Sequence, residues 1–409
     1  MPVRAHDRDV DLRSRLRHDT GFWIVALAFL SAMAFSTLPS PLYAIYQERD
    51  HFAAPVVTVV FAAYALGVMA SLYLAGHVSD WLGRRRVTLV ALVVSGLSAV
   101  LFVLWNDVAG LLVARFVNGI AIGALTATAT AHLSELSAAT GRRGPRAALV
   151  ATVANLGGLG LGPLVGGLFA ERAAEPLVTP YVVFAAVFAA LAVLLLLVPE
   201  TVERREERPA YRPQRVSLPG DARAAFWAAG MAAFGAFAVL GMFTSLTPTF
   251  LTGTMHESSH LLAGAIPFGV YASAATAQAL TMRLATRTQV LLAVSLVVAG
   301  LIAVAAAALT ASLAVFALAG VVAGAGVGVL FRSAIASAAA VAAPGRAGET
   351  LAGVFLIAYA GLTVPVLAVG AALAALPQAT VLVGFSGAVI VLVGVTGGRM
   401  AAQAPARAA

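Results

Sequence analysis

His132 and Glu135 lie three residues apart, on one face of any helix that carries them. A buried imidazole beside a carboxylate can hold or release a proton near neutral pH, and the same pair at a helix end would serve equally as a polar anchor. His256-Glu257-Ser258-Ser259-His260 satisfies the H-E-x-x-H pattern of zinc proteases. That chemistry needs both histidines on one face of a rigid helix, a third ligand, and the glutamate as base. Here the pattern follows Gly253 in a stretch that reads as a loop, and the one acid beyond it is Glu349, so neither a metal centre nor an enzyme is expected. Cysteine is absent, which removes disulfides, thiolate metal sites and cysteine nucleophiles. Arg115 and Arg332 fall inside apolar runs, and a guanidinium in a membrane normally faces a cavity or a partner. Arg115 could instead snorkel from the outer end of its helix, and Arg332 could be buried or line a pathway.

The elements that must position these groups follow from composition. With 61% hydrophobic and 11% charged residues and a mean hydropathy of +0.93, the chain cannot wrap one core in a water-compatible surface. It belongs in a bilayer. Twelve apolar runs are long enough to cross one as helices, at 22–47, 56–78, 87–105, 109–135, 146–170, 179–198, 223–252, 261–282, 288–309, 312–341, 350–375 and 378–398. Long Ala, Leu, Val and Gly runs, without the alternation of barrel strands, favour helices over a closed barrel. The polar start and the long first run do not fit a cleaved signal peptide, so the first span is read as retained.

All 26 basic residues are arginine. Placing both termini in the cytoplasm leaves only Arg49 and Arg172 in outer loops and Arg115 and Arg332 within spans, as the positive-inside rule requires. The net charge of +8 is thus a topology signal. Arginines dealt out loop by loop do not form a nucleic-acid surface. The expected location is the inner (plasma) membrane, with both termini cytoplasmic, the lipid bilayer as surroundings and a monomer as working unit.

One long polar stretch, with Glu203-Arg204-Arg205-Glu206-Glu207-Arg208 at its centre, divides the spans six and six. The expected organisation is an N-terminal tail at 1–21, a first bundle at 22–198, a linker at 199–222, a second bundle at 223–398 and a tail at 399–409. A common offset lays Gly119 and Gly123 over Gly324 and Gly328, and a similar one lays Pro163 over Pro365. Two related six-helix halves with a site near the midplane between them are what secondary transporters show.

Three motifs make that reading specific. Between the second and third spans, Gly76, Asp80, Gly83, Arg84 and Arg85 resemble the conserved hinge of the major facilitator superfamily. Glycines permit a tight turn, and Asp80 can pair with an arginine or with a helix N-terminus. The resemblance implies a latch that contacts the start of the eleventh helix, near Gly348-Glu349-Thr350, in the outward-open state; a helix-capping Asp in a positive-inside loop is the plainer reading. Arg115, Asn118, Gly119 and Gly123 resemble the family's Arg-x-x-Gln-Gly motif, with Asn in place of Gln, which implies a part in coupling or in fixing helices at the cavity. Gly158, Gly162, Pro163, Gly166 and Gly167 fit G-x-x-x-G-P-x-x-G-G, a fifth-span motif associated with exporters and antiporters of that family. Alone, such spacing is common packing chemistry.

The resemblance implies twelve transmembrane helices in two pseudo-symmetric bundles and export of small amphipathic or drug-like molecules by proton antiport, with the proton gradient as energy source and no cofactor. No acidic residue lies near the middle of a span, a departure from family exporters that carry an embedded carboxylate, so His132 with Glu135 becomes the best proton-handling pair. Candidate cavity groups are Ser36, Tyr43, Asn155, Thr244, Tyr271, Gln278, Arg332 and Tyr359, favouring neutral or amphipathic cargo, or anions drawn to Arg115 or Arg332. The rival expectations are a metabolite importer or symporter and a non-transporting sensor or scaffold of the same fold.

Overall fold

A computed structural model describes residues 3–76, 78–141, 146–202, 212–214, 222–343 and 346–403. His77, Arg142, Arg143, Arg204, Arg205, Arg208, Arg215, Arg407 and most of the 199–222 linker lie outside the described residues. The long helices, in chain order, are α1 (Val3–Thr37), α2 (Ala54–Ala75), α3 (Arg84–Leu104), α4 (Val108–Ala139), α5 (Arg146–Arg172), α6 (Thr179–Leu195), α7 (Arg223–Gly253), α8 (His260–Leu280), α9 (Thr286–Thr310), α10 (Leu313–Ala340), α11 (Ala347–Leu373) and α12 (Gln378–Gln403). No strand occurs among the described residues. Ten of these helices are long and apolar enough to span a bilayer; α6 is a shorter apolar helix. The remaining one, α8, has its apolar residues interrupted by Tyr271, Ser273, Thr276 and Gln278, and its inner face lines a cavity.

The first apolar run does not stay helical to residue 47. Proline lacks an N–H and disfavours helix at the residue before it, so Pro39 and Pro41 end α1 at Thr37. Five residues of turn follow, and Tyr43–Asp50 forms a separate short helix. Within α5, Val153–Gly157 forms a single π turn, a local widening that often marks functional positions.

Glycines repeat the same packing in both halves. A Cβ at Gly119 of α4 would sit 2.1 Å from the Tyr64 carbonyl of α2, and one at Gly324 of α10 would sit 2.4 Å from the Val270 carbonyl of α8. Gly162 of α5 meets the Ala34 carbonyl of α1 just as Gly361 of α11 meets the Phe234 carbonyl of α7. Because the small residue lets the backbones touch, α4 lies on α2 as α10 lies on α8. One hydrophobic core runs from Phe22 to Val198 with Leu362 and Val366 added; the other is built between Phe226 and Ala401. In the first, Phe35 packs edge-on to Phe102, Tyr181 and Phe188, drawing α1, α3 and α6 together. Large apolar side chains such as Val93, Leu97, Leu280, Leu309 and Val391 face outward, a surface suited to lipid and not to water. The result is two pseudo-symmetric six-helix bundles.

Candidate functional site

A cavity of about 430 Å³ lies between the bundles. Met33, Thr37, Phe61, Tyr64, Asn155 and Leu159 contribute from the first bundle, and Phe237, Thr244, Tyr271, Gln278, Phe331, Arg332, Phe355 and Tyr359 from the second. The π turn carries Asn155 into this wall. On the rim, Thr130 and Ala148 are exposed and flank the α4–α5 connection, while Gln278 and Ile335 lie near the ends of α8 and α10. The cavity therefore opens on the face whose connections carry Arg84 to Arg86, Arg146, Arg283 and Arg346.

Toward the opposite face the walls converge on α5. Gly158, Gly162 and Gly166 lie against Leu30, Ala34 and Leu38, on the chain of α1 and its end, while Gly160 meets Tyr271 and Gly167 meets the His260 carbonyl of α8. Reciprocally, a Cβ at Gly264 of α8 would be 2.0 Å from the Pro163 carbonyl. Two prolines leave carbonyls free near this seam, and hydroxyl side chains donate to them. Pro163 has no N–H to give the Leu159 carbonyl four residues back, and the Thr37 hydroxyl donates to that carbonyl at 2.8 Å. Pro248 likewise offers nothing to the Thr244 carbonyl, and the Ser40 hydroxyl donates to it, tying the end of α1 to α7 across the bundles. In hydrocarbon such a freed carbonyl needs a substitute donor, and hydroxyl side chains provide it.

Of the sequence candidates for the cavity, Asn155, Thr244, Tyr271, Gln278, Arg332 and Tyr359 line it, and Ser36 and Tyr43 do not. Those two gather around Arg115. Its side chain is 1% exposed, so it does not snorkel; its guanidinium lies 4.5 Å from the Tyr64 ring and 5.7 Å from the Phe61 ring and donates to the Ser36 carbonyl. Asn118, one turn on, is fully buried, and its amide, the Tyr43 hydroxyl and Arg115 Nε find no partner among the described residues. Arg332 is half-buried and donates to the Gln278 carbonyl at 2.8 Å.

The hinge forms a network of its own. Arg84 pairs with Asp80 at 2.6 Å and with Glu135 at 3.2 Å, and the Thr201 hydroxyl donates to Glu135. Glu200 accepts from the backbone N–H groups of Arg84 and Arg85, and Arg85 donates to the carbonyls of Leu196 and Val198. Gly83 has φ of 107°, and a Cβ there would meet Glu200, so this position requires glycine. His132 is buried with Nε2 3.3 Å from the Pro199 carbonyl and Nδ1 without a partner among the described residues. Gly76 ends α2, where Gln214 of the linker donates its N–H to the Tyr73 carbonyl. His132 and Glu135 thus belong to a network at the arginine-bearing face and do not line the cavity. A Cβ at Gly348, at the start of α11, would meet nothing within 4 Å.

His256 and His260 do not share a helix. His256 sits in a left-handed turn, Ser259 caps α8, and no group of three metal-ligating side chains occurs among the described residues.

The sequence profile of the Major Facilitator Superfamily matches residues 24–364. The chain belongs to the major facilitator superfamily. This transporter shares its fold with the human organic anion transporter MFSD10 (TM-score 0.67, 20% identity, covering 94% of this chain and 99% of that one) and with the nucleoside transporter NupG (TM-score 0.71, 15% identity, 93% and 99%). A bacterial homologue of the human lysosomal transporter Spinster, in an inward-facing and unoccupied conformation, is similar at TM-score 0.63 and 14% identity, over 94% and 96%. The puromycin resistance protein pur8 of Streptomyces alboniger is 35% identical over 112 residues, which is 27% of this transporter and 22% of pur8.

Sequence reasoning passed over the aromatic lining. Phe237 packs on Phe331 and Tyr359 at centroid distances of 4.9 and 5.4 Å, and Phe331 on Phe355 at 5.9 Å. One signal was available: Phe355 and Tyr359 are spaced i, i+4 and so share a face of α11.

Proposed function

We propose that the chain is an exporter of small amphipathic molecules, working by alternating access across the plasma membrane with the arginine-bearing face and both termini in the cytoplasm. The observation that carries this reading is the cavity itself: apolar and aromatic, set between two bundles, open to one face and sealed from the other by the α5 seam. Its size falls in the range of small-molecule sites. Export is supported by the fifth-span glycine pattern and by the partial likeness to a puromycin resistance protein. Residues 22–198 and 223–398 rock as units joined by the 199–222 linker, a single chain being sufficient.

Proton exchange is assigned to His132 and Glu135. A proton on Glu135 removes one of the two carboxylate charges that hold Arg84, Asp80 being the other, and the Nδ1 of His132, without a partner among the described residues, can accept a proton. Both residues touch the chain after α6, so discharging them loosens the hinge at the face that must close. Efflux of a compound panel from cells, with and without a protonophore, tests the reading. Expression should lower the accumulation of at least one amphipathic compound, and the protonophore should abolish the effect. Efflux that persists undiminished would overturn proton exchange, and raised accumulation would overturn export.

A further inference from the structure

We infer that the cargo of this cavity is an amphipathic anion, an aromatic carboxylate or sulfonate, with Arg332 as the residue that selects its charge. The inference rests on the proposed transport through this cavity and narrows its substrate class. The charge balance of the wall decides it. Arg332 lines the cavity, and none of the described lining residues is Asp or Glu. Among the described residues its hydrogen bond goes to the neutral Gln278 carbonyl, which fixes the guanidinium in place and leaves its remaining N–H groups for a ligand. Among the described residues no carboxylate pairs with it. One ring deeper, Arg115 lies beneath Phe61 and Tyr64, which themselves face the cavity, and it too has no carboxylate partner among the described residues.

Two guanidinium charges without carboxylate partners among the described residues, set beside apolar walls of low dielectric, focus a positive potential into the cavity between them. Aromatic faces alone would also welcome a cation. A cation here would meet like charge with no counter-ion, however, and like-charge juxtaposition is among the stronger means of excluding a ligand. An anion supplies what the wall lacks, since a planar carboxylate or sulfonate takes two parallel N–H bonds from one guanidinium. Phe237, Phe331, Phe355 and Tyr359 then cover the apolar body of the same molecule.

A matched series separates charge from shape: naphthoate, naphthamide and naphthylmethylammonium, each radiolabelled, with equilibrium binding to the full chain in lipid nanodiscs. The wild-type protein should bind naphthoate about tenfold or more tighter than naphthylmethylammonium, with naphthamide between them. Arg332→Gln should bring the three to within about twofold of one another while naphthamide binding stays unchanged, and Arg332→Lys should keep most of the preference. Equal or tighter binding of the cation by the wild-type protein, or an unchanged ratio in Arg332→Gln, overturns the anion assignment and leaves the transport reading standing. Failure of all three to bind overturns both. Retained naphthamide binding shows that the variant is folded.

Discussion

The bond between Thr37 and the Leu159 carbonyl can be tested by a double-mutant cycle. Thr37→Val keeps the shape of the side chain and deletes the hydroxyl that donates to the Leu159 carbonyl, its approaches to the Ala34 and Met33 carbonyls being longer, at 3.4 and 3.5 Å. A buried acceptor left unsatisfied costs about 1–3 kcal/mol. Pro163→Ala restores a backbone N–H four residues after Leu159, the partner that an uninterrupted helix would supply. In that background Thr37→Val should cost under about 0.5 kcal/mol, because the carbonyl no longer depends on the hydroxyl. The readout is the thermal unfolding midpoint of purified protein in one detergent. For a chain of this length the single variant should fall by about 1–4 °C relative to the parent, and the same change should be nearly silent beside Pro163→Ala. Equal losses in both backgrounds would refute the argument that proline created the need for Thr37.

The remaining expectations concern the seam, the lock across the bundles and the hinge. Gly264→Val places a side chain against the backbone of Pro163, which cannot swing away, so transport should fall at least about tenfold while the protein still reaches the membrane; wild-type flux would contradict the close approach. Ser40→Ala removes the donor to Thr244 between α1 and α7. Because the chain has no cysteine of its own, a single Leu159→Cys reporter, which keeps the backbone carbonyl that Thr37 bonds, can be added at the cavity wall, and its labelling from the sealed face should rise several-fold in Ser40→Ala. No change would show that the bond does not hold that face shut. Glu135→Gln keeps a hydrogen-bond acceptor and loses the charge opposite Arg84, so flux should lose its dependence on the proton gradient while binding of an apolar cargo persists within about twofold. Gradient dependence identical to wild type would remove Glu135 from the proton step.

Spans were legible because lipid imposes one rule on every residue it touches: the twelve apolar runs correspond to twelve helices, and the glycine offset between halves reappears as paired backbone contacts. The first span misled because hydropathy does not register proline; Leu38-Pro39-Ser40-Pro41 is apolar enough to extend a run and unable to extend a helix. At the site, polar residues in apolar helices were conspicuous, which is why Asn155, Gln278 and Arg332 stood out. Ser36 and Tyr43 stood out equally and line no cavity, since polarity says nothing about which way a side chain points. Phe237 and Phe331 were hidden for the opposite reason, being ordinary residues for a membrane helix. The hydroxyls of Thr37 and Ser40 acquire their role only through prolines far away in sequence, at 163 and 248.

The glycines of α5 leave that helix nearly bare on two sides, one toward its own bundle and one toward the other. Interlocked side chains would have to change rotamer, all together, before such surfaces could slip past each other. A smooth rod has no teeth to disengage. It can act as a bearing, tight enough to keep solutes from leaking while it is seated, yet parting without any rearrangement of side chains when the bundles tilt.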